Sequence, residues 1–145
     1  RIEMGHIAGS ELDGRTIPYD NSLEGLVSKK KDFIGKRSLD RKAFVAADRQ
    51  KVVGVVPIDK KTSIPEGSHL VKDARAQIPN PKLGYISASC WSVEYDNPFS
   101  LAIIKDGKNM IGQKLFAMSP LKNKTIPVEI VSSHYVDPNG ERVRS

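Results

Sequence analysis

Few side chains in this sequence have the type and spacing of a catalytic or metal-binding group. His6, His69 and His134 are more than sixty residues apart, and no cysteine or carboxylate stands beside them at the spacing of a metal site. Cys90 lies in an apolar stretch, where a small buried side chain is expected rather than a nucleophile. No G-x-S-x-G, P-loop or G-x-G-x-x-G motif is present. We therefore expect no catalytic residue and no metal site in this chain.

The composition is that of a globular domain with a small basic excess. A length of 145 residues, with 39% hydrophobic and 28% charged residues, argues against disorder. The 23 basic and 17 acidic residues give a net charge of +6, divided as +2 over residues 1–50 and +4 over 51–145. The nine aromatic residues form no stacking pattern with basic residues, so no nucleic-acid partner is expected. The longest apolar runs are far shorter than the roughly 20 residues of a membrane helix, so no membrane partner is expected either.

The cysteine count indicates a cellular compartment, and the first residues indicate a fragment of a longer protein. A single cysteine cannot form an internal disulfide, which favours the reducing cytoplasm. The chain opens on Arg1 without targeting character, and we interpret it as a fragment of a longer protein.

The elements that would position a site are a loop-rich start, one helix and a series of strands. Leu39, Ala43, Ala46 and Ala47 have helical spacing and predict one helix between Gly35 and Arg49. From residue 51 onward, short β-branched runs between turn residues predict six strands, at 51–57, 68–72, 84–91, 100–105, 112–119 and 126–132. Asp106-Gly107 predicts a tight hairpin between the fourth and fifth strands, and the residues at 138–140 predict a terminal turn. An open sheet would leave apolar faces and two edges uncovered, so we predict a closed antiparallel barrel.

Alternation along these strands predicts which side chains fill the barrel. The predicted interior residues are Val53, Val55, Ile86, Leu101, Ile103, Leu115, Val128 and Ile130. The apolar residues predicted to point outward are Val52, Val56, Ala102 and Ile104. Because an outward apolar patch needs cover, we expect the helix after Gly35, or other parts of a longer protein, to pack on it.

Several segments resemble a known family. Near the start these are R-I-E-M-G at 1–5, E-L-D-G-R-T-I-P-Y-D at 11–20 and V-S-K-K-K-D-F-I-G-K-R-S-L at 27–39, the last being the most specific. Further on they are L-G-Y-I-S-A-S-C-W-S at 83–92, S-L-A-I-I-K at 100–105 and D-P-N-G-E-R at 137–142. Together they resemble the aminomethyltransferase (glycine cleavage T-protein) family over essentially the whole chain. The likeness is greatest to the C-terminal part of heterotetrameric sarcosine oxidase alpha subunits.

The resemblance implies an α+β, mainly β fold with two parts. Residues 1–50 would finish a folate-binding α/β region that includes one helix. Residues 51–145 would form the family's C-terminal domain, a six-stranded antiparallel Greek-key β-barrel, in agreement with the strand count above.

The resemblance also implies which residues bind tetrahydrofolate. In the family the glutamate of R-x-E-x-G faces the pterin ring, and here that residue is Glu3. A carboxylate suits this position because it can accept two parallel hydrogen bonds from a ring N–H and a neighbouring amino group. Basic residues before F-I-G would meet the glutamate tail of folate, so Lys31 is the first candidate, with Lys30 and Lys29 beside it. Tyr19, in the T-I-P-Y-D motif, is a further candidate.

If the family resemblance is set aside, these residues are expected to be ordinary solvent-exposed side chains. Glu3 alone would be a solvated surface residue, and Lys29 to Lys31 would be a solvated charge run. Lysine is also a looser carboxylate partner than the arginine often found there in the family. At 21–25 the chain reads N-S-L-E-G, where the family has a small-residue turn followed by an aromatic. This departure introduces a carboxylate, Glu24, beside the expected folate region.

The implied function is that of an enzyme part. One-carbon units released from sarcosine would be captured by tetrahydrofolate as 5,10-methylenetetrahydrofolate, with the catalytic aspartate and the flavin and NAD sites outside this chain. The expected partners are folate and either other subunits or upstream parts of the same protein. One alternative is a T-protein-type aminomethyltransferase, and another is a non-catalytic barrel used as a subunit interface.

Overall fold

Six strands form the centre of the structure, a computed structural model that describes residues 1–75 and 82–144. The strands are β1 (Gln50–Pro57), β2 (His69–Val71), β3 (Gly84–Ser92), β4 (Asn97–Lys105), β5 (Lys114–Ser119) and β6 (Lys124–Val131). The helices are single turns, namely α1 (Lys36–Leu39), α2 (Lys42–Val45), α3 (Gly107–Met110) and α4 (Glu141–Arg144). Short 3-10 turns lie at Gly9–Glu11, Glu24–Leu26 and Pro120–Lys122. In the described part of the chain, no helix has the length and apolar character needed to cross a membrane.

The strands close into a barrel in the order β1-β4-β3-β2-β5-β6, with β6 pairing back onto β1. Every pairing is antiparallel. The order of the first four strands is a Greek key, because three consecutive strands are followed in space by the one that precedes them in sequence. The mainly β fold and the closed six-stranded antiparallel barrel are therefore confirmed. The division of the chain at residue 50 remains a prediction.

The predicted hairpin at Asp106-Gly107 is wrong. β4 pairs with β1 and β3, whereas β5 pairs with β2 and β6. Instead of reversing the chain, Gly107 begins α3, which packs on β1. A Cβ on Gly107 would lie 2.9 Å from Ile104 Cγ2 and 3.0 Å from Val53 Cγ1, so a larger residue would have to displace these side chains. The apolar side chain of Met110, at the end of α3, joins the barrel core, and this burial outweighs the local turn preference.

The barrel interior contains most of the predicted core. Val53, Val55, Ile86, Leu115, Val128 and Ile130 are buried in one cluster, as predicted. Ile64 and Leu70 also belong to this cluster, and both are at most 1% exposed.

The predicted register of β4 is wrong by one residue. Ala102 and Ile104 point into the barrel, and Leu101 and Ile103 belong to a second cluster on its outer face. Ala102 pairs with the inward residue Val53, and directly paired residues share a face of the sheet. The run L-A-I-I has no polar position, so alternation alone could not decide which residues face inward.

The second cluster is covered by the two ends of the described chain, not by the segment after Gly35. It contains Val52, Val56, Phe99, Leu101 and Ile103, with Ile2, Ile7 and Tyr135 among the residues packed on it. The Tyr135 ring stacks on Phe99, with ring centroids 4.5 Å apart and planes within 6° of parallel. We call this assembly the outer cluster.

The single helix predicted between Gly35 and Arg49 is also not found. Two single-turn helices, α1 and α2, occupy its place, and the chain is extended at Arg41, with ψ at 140°. Ala43, Ala46 and Ala47 are exposed. A short isolated helix is marginal in water, and the exposed alanines show that the apolar face of the predicted helix is not buried here.

We expect truncation of Ile104 to separate the observed register from the predicted one. Ile104 is fully buried, so Ile104→Ala should lower the free energy of unfolding by about 2–5 kcal/mol. Ile103→Ala should also destabilise, because Ile103 is buried in the outer cluster. The control Ile111→Ala removes a side chain that is 53% exposed and should change stability by less than about 0.5 kcal/mol. Urea unfolding measures all three, and an Ile104→Ala variant as stable as the control would contradict the register.

Candidate functional site

The R-I-E-M-G segment forms a turn that is anchored on the residues after β6. The carbonyl of Glu3 accepts backbone N–H groups from Tyr135 and Val136, both at 3.0 Å. Gly5 has φ at +68°, and a Cβ there would lie 2.8 Å from the carbonyl oxygen of Ser133. Only glycine fits both the backbone conformation and the close approach. Ile2 packs on the outer cluster, so the cover of the barrel also fixes the position of Glu3.

The Glu3 carboxylate has an acceptor that the chain does not use. Its Oε1 atom is buried and has no hydrogen-bond partner in the described residues. Cys90 lies close enough that, after burial itself, the Glu3 charge is the main cause raising the pKa of the Cys90 thiol. Buried acceptors are nearly always satisfied, so the unused oxygen is a feature that a donor from a ligand would complete.

Glu11 is a second buried carboxylate with an unpaired oxygen, and the sequence does not predict it. Its side chain is fully buried, and Oε2 accepts the backbone N–H of Ala8 at 2.9 Å. Arg1 Nη1 lies 3.7 Å from the same oxygen, whereas Oε1 has no partner in the described residues. Its burial follows from the 3-10 turn at Gly9–Glu11, which packs on β3, and no local sequence signal marks it.

The three lysines lie together beside an apolar cavity. Lys31 borders a cavity of about 360 Å³ whose other lining residues are Pro18, Leu23, Leu26, Val27, Ser28, Asp32, Phe33 and Leu39. Lys29 and Lys30 line an adjoining cleft with Lys31. Ser28 Oγ accepts the backbone N–H of Lys31 at 2.9 Å, and Lys36 Nζ donates to the Lys31 carbonyl at 2.8 Å. These bonds fix the backbone while the lysine side chains stay exposed.

Tyr19 and Glu3 do not line the cavity or the cleft beside the three lysines. Tyr19 borders a different cavity of about 280 Å³, beside Phe44, Arg49 and Lys51. Glu3 lines neither this cavity nor the two beside the lysines. The structure therefore groups the lysines but does not bring Glu3 or Tyr19 into one cavity with them.

One buried ion pair holds the loop that lines these cavities. Asp20 is 3% exposed, and its two oxygens accept from Arg49 Nε at 2.6 Å and Nη2 at 2.5 Å. Arg49 also donates to the carbonyls of Arg15 and Ala43. The Asp20 carbonyl accepts the N–H of Val52 at 2.7 Å, so the loop pairs with the start of β1. A bidentate, partly buried pair of this kind is among the stronger charge-assisted contacts.

Glu24, the carboxylate that departs from the family pattern, is neutralised by the barrel. Lys51 Nζ, on β1, donates to Glu24 Oε1. Burial would raise the pKa of Glu24, but the hydrogen bond from Lys51, a backbone hydrogen bond and the charges of Lys51 and Lys108 together hold it below its usual value. Glu24 therefore lines the cavity beside Tyr19 and the cleft beside the lysines as one half of an ion pair.

Within residues 1–75 and 82–144, no group of three or more His, Cys, Asp or Glu side chains converges as a metal site would require. His69 is partly buried, and this burial, followed by the charge of Lys82, lowers its pKa.

Comparison with known proteins identifies the relatives. The chain is 36% identical over 145 residues to the sarcosine oxidase subunit alpha of Rhizobium meliloti, and the match covers 99% of the chain. It is 35% and 37% identical to the corresponding subunits of two Corynebacterium strains, P-1 and U-96, over 98% of the chain. The chain is a homologue of sarcosine oxidase alpha subunits. It spans 15% of the length of each of these sarcosine oxidase subunits.

Structural comparison supports the same fold. The aminomethyltransferase T of the Bartonella henselae glycine cleavage system has a TM-score of 0.70 and 22% sequence identity. The match covers 94% of this chain and 37% of the aminomethyltransferase chain. No protein-family model matches the sequence. The resemblance stated from the sequence motifs is confirmed.

Cys90 offers a direct test of the Glu3 environment because it is the single cysteine of the chain. Burial and the Glu3 charge both raise the pKa of its thiol, so it should react with a disulfide reagent at pH 7.5 more slowly than a free thiol. Glu3→Gln removes the charge and should accelerate the reaction, whereas Glu141→Gln, at an exposed site, should not. Equal rates for the wild type and Glu3→Gln would show that the Glu3 charge does not act on Cys90.

Because the Asp20–Arg49 pair is largely buried, loss of Arg49 should destabilise the fold more than loss of Arg15, whose ion pair is exposed. Arg49→Gln leaves a buried carboxylate without its cation and should cost about 2–3 kcal/mol of unfolding free energy. Arg15→Gln breaks an exposed pair with Asp13 and should cost less than about 1 kcal/mol. Urea unfolding of the two variants gives the comparison, and equal losses would mean that burial of the Asp20–Arg49 pair has no energetic consequence.

Proposed function

We propose that this chain helps to bind tetrahydrofolate in a sarcosine-oxidase-like alpha subunit. In that role the folate captures the one-carbon unit released from sarcosine as 5,10-methylenetetrahydrofolate. The 35–37% identity to sarcosine oxidase alpha subunits along the chain supports this assignment. The candidate ligands belong to the R-I-E-M-G and K-K-K-D-F-I-G segments of this chain.

The unused Oε1 of Glu3 is the observation that carries the proposal. Leaving a buried carboxylate oxygen without a donor is unfavourable by about 1–3 kcal/mol, and a pterin ring offers the missing donors. A carboxylate accepts from a ring N–H and the neighbouring amino group in a forked arrangement, which distinguishes a 2-amino-4-oxo ring from rings without those donors. The backbone anchors at Tyr135 and Val136 keep Glu3 in place before any ligand arrives.

Lys31 suits the other end of a folate. The cavity that it borders is apolar apart from Ser28, Asp32 and Lys31, which fits an aromatic ring bearing a carboxylate tail. Lys29 and Lys30, exposed in the adjoining cleft, would add further positive charge along such a tail. Tyr19 borders the neighbouring cavity and is the least directly supported of the candidates.

The reaction itself is assigned to parts outside this chain. Oxidation of the amine, with its flavin and NAD, and the catalytic aspartate belong in this proposal to the remainder of the enzyme. The sarcosine oxidase relatives are named as subunits, so other subunits are the proposed partners. A cytoplasmic location is part of the same proposal.

A second candidate is a T-protein-type aminomethyltransferase acting on a protein-bound aminomethyl group. The TM-score of 0.70 to an aminomethyltransferase favours it, whereas the higher sequence identity favours the oxidase. A dinucleotide-binding motif in the adjoining coding sequence would support the oxidase.

Glu3→Gln in the full-length enzyme should weaken tetrahydrofolate binding by about 1.5–3 kcal/mol and leave the fold intact. Glutamine keeps the shape of the side chain but exchanges one acceptor for a donor, so one pterin donor loses its partner. Isothermal titration calorimetry measures the effect, with Glu141→Gln as the exposed control. Unchanged affinity would show that Glu3 does not bind the pterin ring.

The 145-residue chain by itself should neither oxidise sarcosine nor transfer an aminomethyl group. It should bind tetrahydrofolate with a dissociation constant weaker than micromolar, because a pocket shared with other domains loses walls when they are absent. Turnover of sarcosine by the purified chain, or a micromolar or tighter constant, would contradict this.

A further inference from the structure

Arg1 and Glu3 belong to one tight turn, in which a cation and a carboxylate are separated by a single residue. The turn is closed by two backbone hydrogen bonds. The carbonyl of Arg1 accepts the N–H of His6, and the carbonyl of Ile2 accepts that of Gly5, both at 3.0 Å. The fold therefore keeps the guanidinium and the carboxylate on the same short segment.

The Cys90 sulfur senses the charges of both side chains. Burial and then the charge of Glu3 raise the pKa of the Cys90 thiol, whereas the charges of the amino terminus and of Arg1, with a backbone hydrogen bond from Glu3, lower it. A guanidinium carries five N–H donors and pairs readily with a carboxylate. Yet Glu3 Oε1 is buried and has no hydrogen-bond partner among the residues that the structure describes. Arg1 lies near Glu3 without satisfying this oxygen.

Arg1 is held instead by Glu11 and by a backbone carbonyl. Its Nη1 atom donates to the carbonyl of His6 at 2.8 Å and lies 3.7 Å from Glu11 Oε2. Glu11 is fully buried, and the same oxygen accepts the N–H of Ala8 at 2.9 Å, which fixes its position. A carboxylate removed from water attracts a nearby cation more strongly than an exposed carboxylate does.

The cap that Glu11 provides for the 3-10 turn does not by itself require a charge. Glutamate and glutamine serve equally at the corresponding position of a capping box. Burying a carboxylate is also less favourable than burying an amide. The contact with Arg1 is therefore what the charge of Glu11 adds to the structure.

We propose that Glu11 is a positioning residue that keeps Arg1 away from Glu3 and so leaves a Glu3 oxygen open to an N–H group of the ligand. This inference rests on the proposed folate role of Glu3 and adds the residue that keeps its acceptor available. If Arg1 paired with Glu3, the guanidinium would occupy the acceptor that the pterin ring needs. Binding of the ligand would then first have to break an ion pair, and its affinity would fall.

The thiol of Cys90 tests the position of Arg1 in the 145-residue chain. Glu11→Gln should let Arg1 approach Glu3 and offset its charge, so the pKa of the thiol should fall and the thiolate fraction at pH 7.5 should rise about twofold or more. Arg1→Gln removes a positive charge and should raise the pKa. The double variant Glu11→Gln/Arg1→Gln should match Arg1→Gln, because no guanidinium is then left to move. The pH dependence of the rate with a disulfide reagent gives these values.

Tetrahydrofolate affinity in the full-length enzyme is the second measurement. Glu11→Gln should weaken binding about five- to tenfold, because an acceptor needed by the ligand is taken. Arg1→Gln should leave the affinity within about twofold of the wild type, and the double variant should recover it. The control Glu94→Gln removes the same charge from an exposed ion pair and should alter neither the affinity nor the pKa of Cys90.

Recovery in the double variant separates positioning from a merely structural role of Glu11, which predicts that the double variant binds as weakly as Glu11→Gln. That result would overturn the proposal, and so would unchanged Cys90 reactivity in Glu11→Gln. If Glu11→Gln does not fold, Arg1→Gln decides alone. A raised Cys90 pKa with full affinity supports the proposal, whereas an unchanged pKa or an affinity as weak as that of Glu3→Gln overturns it.

Failure of this inference and failure of the folate proposal give different results. If Glu3→Gln leaves tetrahydrofolate affinity unchanged, the folate role of Glu3 is wrong, and the acceptor that Glu11 is proposed to keep open has no pterin to bind. The reactivity of Cys90 still reports in that case whether Glu11 holds Arg1 away from Glu3.

Discussion

The burial of β1 and β4 on both faces is the constraint on which the rest of the structure depends. Their inward side chains fill the barrel, and their outward side chains, Val52, Val56, Phe99, Leu101 and Ile103, form the outer cluster. An uncovered apolar face of this kind would not be stable in water, so the two ends of the described chain must lie across it. The segment that covers the outer cluster is also the one that carries Glu3, and this links a packing requirement to the candidate pterin contact.

Two ion pairs attach another part of the first fifty residues to the barrel. The Asp20–Arg49 pair and the Glu24–Lys51 pair attach neighbouring positions of one loop to the start of β1. Because that loop supplies Leu23, Leu26 and Val27 to the apolar cavity, the two ion pairs determine the shape of the cavity beside Lys31. Glu24, the carboxylate that departs from the family pattern, thereby has a structural role as the partner of Lys51.

The turn that carries Glu3 is fixed by the fold itself. Glu3 is held rigidly by backbone hydrogen bonds and lacks only a donor for one oxygen, which is the condition of a preorganised ligand contact. Ile2, on the same turn, packs on the outer cluster and holds the turn against the barrel. An acceptor held in this way suits a small-molecule ligand.

The sequence by itself determined the six strands, the closed antiparallel barrel and the inward faces of β1, β5 and β6. Those runs are bounded by turn residues, and closure follows from the need to cover apolar faces and edges. Only the tertiary structure decided the inward face of β4, the path after Asp106 and the division of the predicted helix into α1 and α2. An all-apolar run has no period from which a face can be chosen, and a turn or helix preference of about 1 kcal/mol yields to burial of a side chain such as Met110. The sequence also could not predict the unpaired oxygens of Glu3 and Glu11. Whether a buried carboxylate has a donor depends on residues that the fold brings together from distant parts of the chain.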